Sequence, residues 1–541
     1  MKTHAISWMR GRAGRSAGMA GGPRWRSGSR VLMAAAAGMV LAVGVFASPA
    51  AASAGTPSIT LKAKSGPPTT KVSVTGSGFG TSETVTVTDF GMSQPAVTSS
   101  TGTFTAAFTV PNTAQPGKYP VTATGQTSHL SATAYFLVRT NWPQVRFGAT
   151  GTGYNPYENV ISTSNVGTLT KKWQSSINGA YLSNSPPAAY NGALYTSSGL
   201  AGTVLDAFSP SNGALLWRGA SVTGNGAWSV DTPAVVSGVA YIAASDGNLY
   251  AYSAKASSAN CTGTPPNETC QPLWTAHING TGPVVVSGGI AYMAGGYYFY
   301  AFSAKGCHAA TCSPLWTAAV NSFSYTGAPA VANGVVYAGR GDGLLAYSAN
   351  GTTGCTGGTP DVCSPLWRGD DTTLGLNSAG ADSAAVAGGV VYTTATNGVI
   401  AFRAKGCGTA TCSPLWGYVD PSSWTGFTAP AVANGTVYAN ASNPYTGDAL
   451  YAFSTSGTKL WTAPLPDGYG GSVAAVTVAN GVAYAGDTGD VEAYSASSGT
   501  PLWTLAGPNG SYGAWDTPVV VNGVLYATEW NGTPFSAYKL P

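Results

Sequence analysis

From about residue 180 to its C-terminus the chain repeats one unit, and this repetition limits its fold more than any other feature. One copy runs from Ala328 to Trp367, reading APAVANGVVYAGRGDGLLAYSA and closing on SPLW. Related copies begin at Pro186, Thr232, Gly282, Asp382, Ala429, Val473 and Thr517. Each has an apolar run, an Asn-Gly or similar turn, a second run ending near a tyrosine, a third run of the YAFSA type, and a closing Leu-Trp. Asn-Gly supplies the two positive-φ positions of a tight hairpin, so the first two runs should pair. Four strands in 42–57 residues, counted tryptophan to tryptophan, predict the blade of a β-propeller.

The closing tryptophans are Trp217, Trp274, Trp316, Trp367, Trp416, Trp461 and Trp503. The last copy ends in PFSAYKLP without one, and a spare stands upstream in LTKKW at Trp173. If that strand completes the last copy, the ring closes with eight blades and ties the two ends together, removing the exposed edges of an open array. The eight tryptophans are then blade-docking residues.

Composition agrees with an all-β chain. Only 8% of residues are charged, too few for the wet faces of long helices, yet 44% are hydrophobic, too many for disorder. Residues 1–54 hold seven of the 24 basic residues and no acid, then an apolar stretch from Val31 to Ala47 and Ala52-Ser53-Ala54. That is the pattern of a cleaved secretory signal, so the protein is expected to be secreted or associated with the cell surface, with no membrane span after cleavage. Beyond residue 54 stand 17 basic against 20 acidic residues, which lacks the basic stripe that nucleic acid needs. A monomer is expected.

Between the signal and the repeats, residues 55–140 alternate with period two, as in Val72–Thr75, Thr84–Thr88, Phe104–Val110 and Tyr119–Thr124. The segment, with its Gly76-Ser77-Gly78-Phe79 and Pro116-Gly117-Lys118-Tyr119 turns, resembles the small bacterial immunoglobulin-like β-sandwich modules fused to secreted proteins. Residues 141–541 are then the propeller.

The repeat itself resembles the PQQ-type (quinoprotein-like) propeller, whose blades carry an eleven-residue docking motif. Here it reads AFSPSNGALLW (Ala207–Trp217) and AYSASSGTPLW (Ala493–Trp503), with Ser209 and Ser495 where that family has aspartate. The lead-in from Trp142 to Trp173 is similar to that of the same proteins. What the resemblance implies for activity is a quinone held between a tryptophan and two adjacent cysteines, with calcium on Glu and Asn ligands and a catalytic Asp. No Cys-Cys occurs, and of the five glutamates only Glu158, Glu492 and Glu529 remain as candidate ligands. No cofactor is therefore expected, with PQQ and calcium as the alternative.

The cysteines fall in local pairs: Cys261 with Cys270, Cys307 with Cys312, Cys355 with Cys363, and Cys407 with Cys412. Each pair flanks one hairpin loop, where opposed Cα atoms stand roughly 4.5–5.5 Å apart, so disulfides are expected. Zinc would need four ligands at one point, and the two C-x₄-C pairs lie in different, non-adjacent blades. The histidines His129, His277 and His308 are scattered, and Asp-Gly at Asp246, Asp342 and Asp467 reads as turn chemistry.

By the repeat geometry the blade-to-blade connections share one channel mouth. They carry Trp228, Tyr325, Trp424, Tyr469, Tyr512 and Trp515, with Asp231, Asp382 and Asp516 at or just before the next inner strand. Aromatics with a few polar groups suit a sugar or a peptide. The expected function is non-enzymatic extracellular binding or scaffolding, with a protein or glycan at that mouth. A PQQ-dependent dehydrogenase with an atypical site is the alternative. A carbohydrate-active enzyme would need two of those acids within about 5–10 Å of each other.

Overall fold

The computed structural model describes residues 55–541 apart from 176–184, 199–201, 224–230, 258, 265–267, 320–324, 342, 359, 371, 375–382, 423, 467–472, 488, 507–515 and 529–534. The expected signal segment lies outside the described residues. Among the described residues there is no α-helix, only strands and two short 3₁₀ turns.

The N-terminal part is two sheets around one core. Strands Ser58–Leu61, Lys71–Ser77 and Phe104–Thr109 form one; Ser65–Gly66, Ser131–Val138, Gly117–Gly125, Thr84–Asp89 and Met92–Val97 form the other. Alternation places Val72 and Val74 opposite Val85, Val87, Val121 and Phe136, all buried between the sheets. Glu83, 5% exposed, ties a corner: its carboxylate accepts from the Gly80, Thr127 and Ser128 amides and the Ser128 hydroxyl.

Among the described residues the repeats form eight sheets, each built outward from a short inner strand by antiparallel pairing. The inner strands are Ala188–Tyr190, Ala234–Val236, Val284–Ser287, Tyr325–Ala332, Ala385–Ala387, Ala431–Ala433, Thr477–Ala479 and Val519–Val521, defining sheets 1 to 8 in order. The outer strand of sheet 8 is Thr170–Ser175, which pairs antiparallel with Phe535–Lys539. Apolar clusters fill each junction between successive sheets. One joins sheet 8 to sheet 1 through Val519, Val521 and Tyr526 against Ala189, Leu194 and Phe208, so the array is a closed ring.

A tyrosine in the second strand of a sheet reaches across such a junction. Tyr195, Tyr241, Tyr292, Tyr337 and Tyr438 each donate a hydroxyl to a carbonyl of the next sheet, at Ala254, Ala304, Ala349, Ala404 and Ala496. The tryptophans do the same with their rings. Trp173, Trp274, Trp316, Trp367, Trp416 and Trp461 lie against Gly213, Gly306, Gly351, Gly406, Gly457 and Gly499 of the following sheet. All six glycines have positive φ, and a Cβ on any of them would stand 2.5–2.7 Å from the indole. The remaining two, Trp217 and Trp503, meet Tyr252 and Tyr538 instead.

The four cysteine pairs form disulfides, with Cα separations of 3.9 Å for Cys261–Cys270 and Cys355–Cys363 and 5.6 Å for Cys307–Cys312 and Cys407–Cys412. These bracket the range expected for opposed hairpin residues, since two pairs face each other across a ladder and two close over four intervening residues. Each stapled loop also reaches back to the preceding sheet. Thr269 lies beside Arg218, Thr311 beside Thr275, Asp361 beside Trp316 and Thr411 beside Arg368, all in parallel register. The outer edges of sheets 1 to 4 are thereby covered. Their tryptophans are 1–5% exposed, while Trp416, Trp461, Trp503 and Trp173 are half-buried.

Candidate functional site

The centre of the ring is organised by the lead-in, which sequence periodicity did not mark. Between Trp142 and Asn155 this segment meets all eight inner strands. Trp142 exchanges backbone hydrogen bonds with Ala189, and the carbonyls of Pro143, Ala149, Thr150, Thr152 and Gly153 accept from Val235, Val331, Val386, Val432 and Val478. The Gln144 side chain accepts from the Val286 amide, and that of Asn155 donates to the Val520 carbonyl. Each partner stands two residues before its sheet's first turn, so the segment lies inside the ring at the turn end. Arg146, 5% exposed, donates to the carbonyls of Ala384 and Pro430.

Glu158 fastens the end of this segment. Its carboxylate accepts from the amides of Val160, Ile161 and Gly523, the last in the first turn of sheet 8. Burial pushes the acid up despite those donors. Backbone amides already occupy this carboxylate. Glu492 is buried in the third strand of sheet 7, and Glu529 lies outside the described residues.

The opposite end of the channel begins four residues before those contacts, about 13 Å along an extended strand. Equivalent described positions there are Ser185, Asp231, Gly282, Gly327, Thr428, Ala474 and Asp516, so the register sets Asp516, Ser185 and Asp231 at neighbouring places on sheets 8, 1 and 2. Ser185 is buried and bonded to Thr196 and the Ser197 amide. Burial pushes the Asp231 carboxyl up to about 7 and that of Asp516 up to about 8, where Thr528 donates its hydroxyl. Deeper in sheet 1, fully buried Asp206 meets Arg218 at 3.3 Å; burial outweighs this partner and raises the acid to about 7. These acids accept or donate a proton near neutrality, which suits proton transfer or a hydrogen bond to a polar ligand.

On the same end, sheet 6 holds out two aromatics. Asp420 accepts from the Ser422 amide and the hydroxyls of Thr425, Tyr418 and Tyr451, and Asn443 donates to Ser422 and Thr425. The two loops so pinned present Trp424 and Tyr445, 65% and 70% exposed, edge to face at 5.8 Å. Tyr445 escaped sequence reasoning because it sits in the loop between the second and third strands rather than in a sheet-to-sheet connection. Tyr325 opens the inner strand of sheet 4. Trp228, Asp382, Tyr469, Tyr512 and Trp515 lie outside the described residues.

A family model described as outer membrane protein assembly factor BamB matches residues 265–411 and 446–538. No curated protein matches the chain. Among solved structures, quinohemoprotein alcohol dehydrogenase ADHIIG from Pseudomonas putida HK5 is similar over 74% of this chain and 80% of its own, with 15% identity and a TM-score of 0.51.

The expectation of no cofactor is corrected by this likeness, because the solved structure that shares the fold is a quinohemoprotein. The described residues nevertheless do not reproduce the set that the PQQ-type resemblance implies. All eight cysteines are committed to disulfides in the outer loops, Glu83 and Glu158 are held by backbone amides, and no group of three His, Cys, Asp or Glu among the described residues is placed to hold a cation. Taken with the ring geometry, the comparisons identify a nearly all-β chain that carries PQQ-like repeats over residues 265–411 and 446–538 and whose fold is a β-propeller.

Proposed function

We infer that the protein is an exported, monomeric eight-bladed propeller carried behind an immunoglobulin-like module, and that it is an oxidoreductase of the quinoprotein kind with an atypical site. Supporting this reading is the arc at the connection end of the channel, where Asp231 and Asp516 flank Ser185 with carboxyls that change charge near neutral pH. The structural likeness to a quinohemoprotein alcohol dehydrogenase favours it over a purely passive role. In this reading one of the two acids accepts the proton of a hydroxyl substrate while the other holds a polar group by hydrogen bond.

The test is a titration of the purified protein with PQQ, with and without calcium, followed by tryptophan fluorescence, then a dye-linked assay with alcohols and sugars. Saturable binding with dye reduction that is lost in Asp516→Asn or Asp231→Asn supports the reading. Absence of quinone binding in both calcium conditions removes it.

A second reading is extracellular binding or scaffolding, supported by the match to an assembly-factor family model and by the exposed Trp424–Tyr445 pair. Glycan or peptide binding that is lost in Trp424→Ala, without quinone binding, selects that reading.

A further inference from the structure

A second candidate site lies in the N-terminal sandwich, away from the channel. Strand Thr84–Asp89 sends Val85, Val87 and Asp89 inward in succession, so a carboxylate ends a row of core valines. Asp89 is 2% exposed. Gln94 donates to its carboxylate, but Oδ1 has no hydrogen-bond partner. A buried acceptor left unpaired destabilises the fold, more so when charged.

Asp89 lines a cavity of about 440 Å³ together with Phe90, Pro111, Ala114, Tyr119 and Pro120. The Phe90 and Tyr119 rings stand 4.6 Å apart, tilted by 34°. Phe90 occupies the first position of a two-residue turn at φ +39°, before Gly91 at +78°. That conformation usually takes asparagine or glycine, and a bulky side chain there is strained. The turn thus sets an aromatic ring beside the acid at a cost to the backbone. No Lys, Arg or His lines the cavity. The nearby Lys118 alternates to the outer face, where its ammonium sits 4.1 Å over the Tyr135 ring.

An unpaired buried carboxylate oxygen and two aromatic faces, with no cationic side chain among the lining residues, are the complement of one chemical group. The geometry points to a binding site for a primary ammonium in this cavity, as carried by a lysine side chain of a partner polypeptide. An N–H of the ammonium bonds Asp89 Oδ1, and its charge lies against the rings of Phe90 and Tyr119. The alkyl stem contacts Pro111, Ala114 and Pro120. This role is independent of the quinone reading, because no residue is shared with the channel.

The test is calorimetric titration of the full protein with Nα-acetyl-lysine methylamide and with the same compound acetylated on Nε. The charged form should bind saturably at millimolar concentration or tighter, and Nε-acetylation should abolish the heat. Asp89→Asn, which keeps the shape of the side chain, should weaken binding by about tenfold or more, and Tyr119→Leu should weaken it less. Because the acetylated ligand needs no mutation, the comparison holds even if a variant folds poorly. Equal binding of both ligand forms, no binding of either up to tens of millimolar, or tetramethylammonium binding as well as the primary amine would each overturn the proposal.

Discussion

Two glycines with the same backbone angle separate the two roles that glycine plays in this ring. Gly306 and Gly334 both have φ +78°. Gly334 is in an exposed turn, where an added Cβ meets nothing within 4 Å. At Gly306 the same carbon would stand 2.6 Å from Trp274 Cδ1 and 2.9 Å from its Nε1. Alanine at either position incurs the left-handed penalty of about 1–2 kcal/mol. Only Gly306→Ala must also displace an indole packed at the junction of sheets 2 and 3, and overpacking of that kind costs a further ~1–3 kcal/mol. Gly306→Ala should therefore lose about 2–5 kcal/mol and Gly334→Ala about 1–2 kcal/mol. Urea unfolding followed by tryptophan fluorescence reads both, and the Gly306 variant should also shift the native emission. Equal losses in the two proteins would refute the view that tryptophan-on-glycine contacts hold neighbouring sheets together.

Further outcomes follow from other contacts. Replacing Cys307 and Cys312 with alanine should cost about 2 kcal/mol on the chain-entropy estimate for so short a loop. It should also open Trp274 to acrylamide quenching, because the loop covers the edge of sheet 2 beside Thr275. Glu158→Gln should destabilise the ring by about 1–3 kcal/mol in thermal unfolding, since an amide nitrogen cannot accept from the backbone donors the carboxylate now satisfies. The folded Asp516 carboxyl lies near 8 against an ordinary value of 3.8, so the folded state holds the proton more tightly. Its contribution is full below about pH 4 and lost as pH climbs through about 8, and Asp516→Asn should flatten that limb of the stability profile. Glu83 has the opposite sign: burial raises it, but hydrogen bonds from Ser128, Thr127 and Gly80 bring it below its ordinary value. Its contribution is lost as pH falls below about 4.5 through the folded value, and a Glu83→Gln unfolding series should lack that acid limb.

What was legible in the sequence is what repeats. Val331-Ala332-Asn333-Gly334 has counterparts in every sheet, so hairpins and closing tryptophans could be placed by period alone. The cysteines announced their pairing because each had a single near neighbour. Their reach to the preceding sheet was hidden, since parallel pairs such as Arg218 with Thr269 join residues with no shared motif. The lead-in was opaque for a related reason. Its bonds from Pro143, Ala149 and Gly153 are made by backbone carbonyls, which any residue type supplies. The acids at Asp231 and Asp516 were found from the repeat register, whereas their altered protonation depends on burial that no spacing reveals. Asp89 was passed over because it stands where a valine would have continued the alternation.

The antiparallel pair that closes sheet 8 also sets a schedule. Thr170 and Lys539 are joined across 369 residues, and Glu158 waits for Gly523 across 365. At synthesis rates of about 5–20 residues per second, the earlier partner is made roughly 20–70 seconds before the later one. Until then the lead-in and strand Thr170–Ser175 have no ring to enter. A chain that crosses a membrane before folding gains from such an arrangement, because the ring cannot close ahead of its last strand. The same arrangement leaves any polypeptide truncated before Phe535 with an unpaired edge, open to proteases and to pairing with other chains.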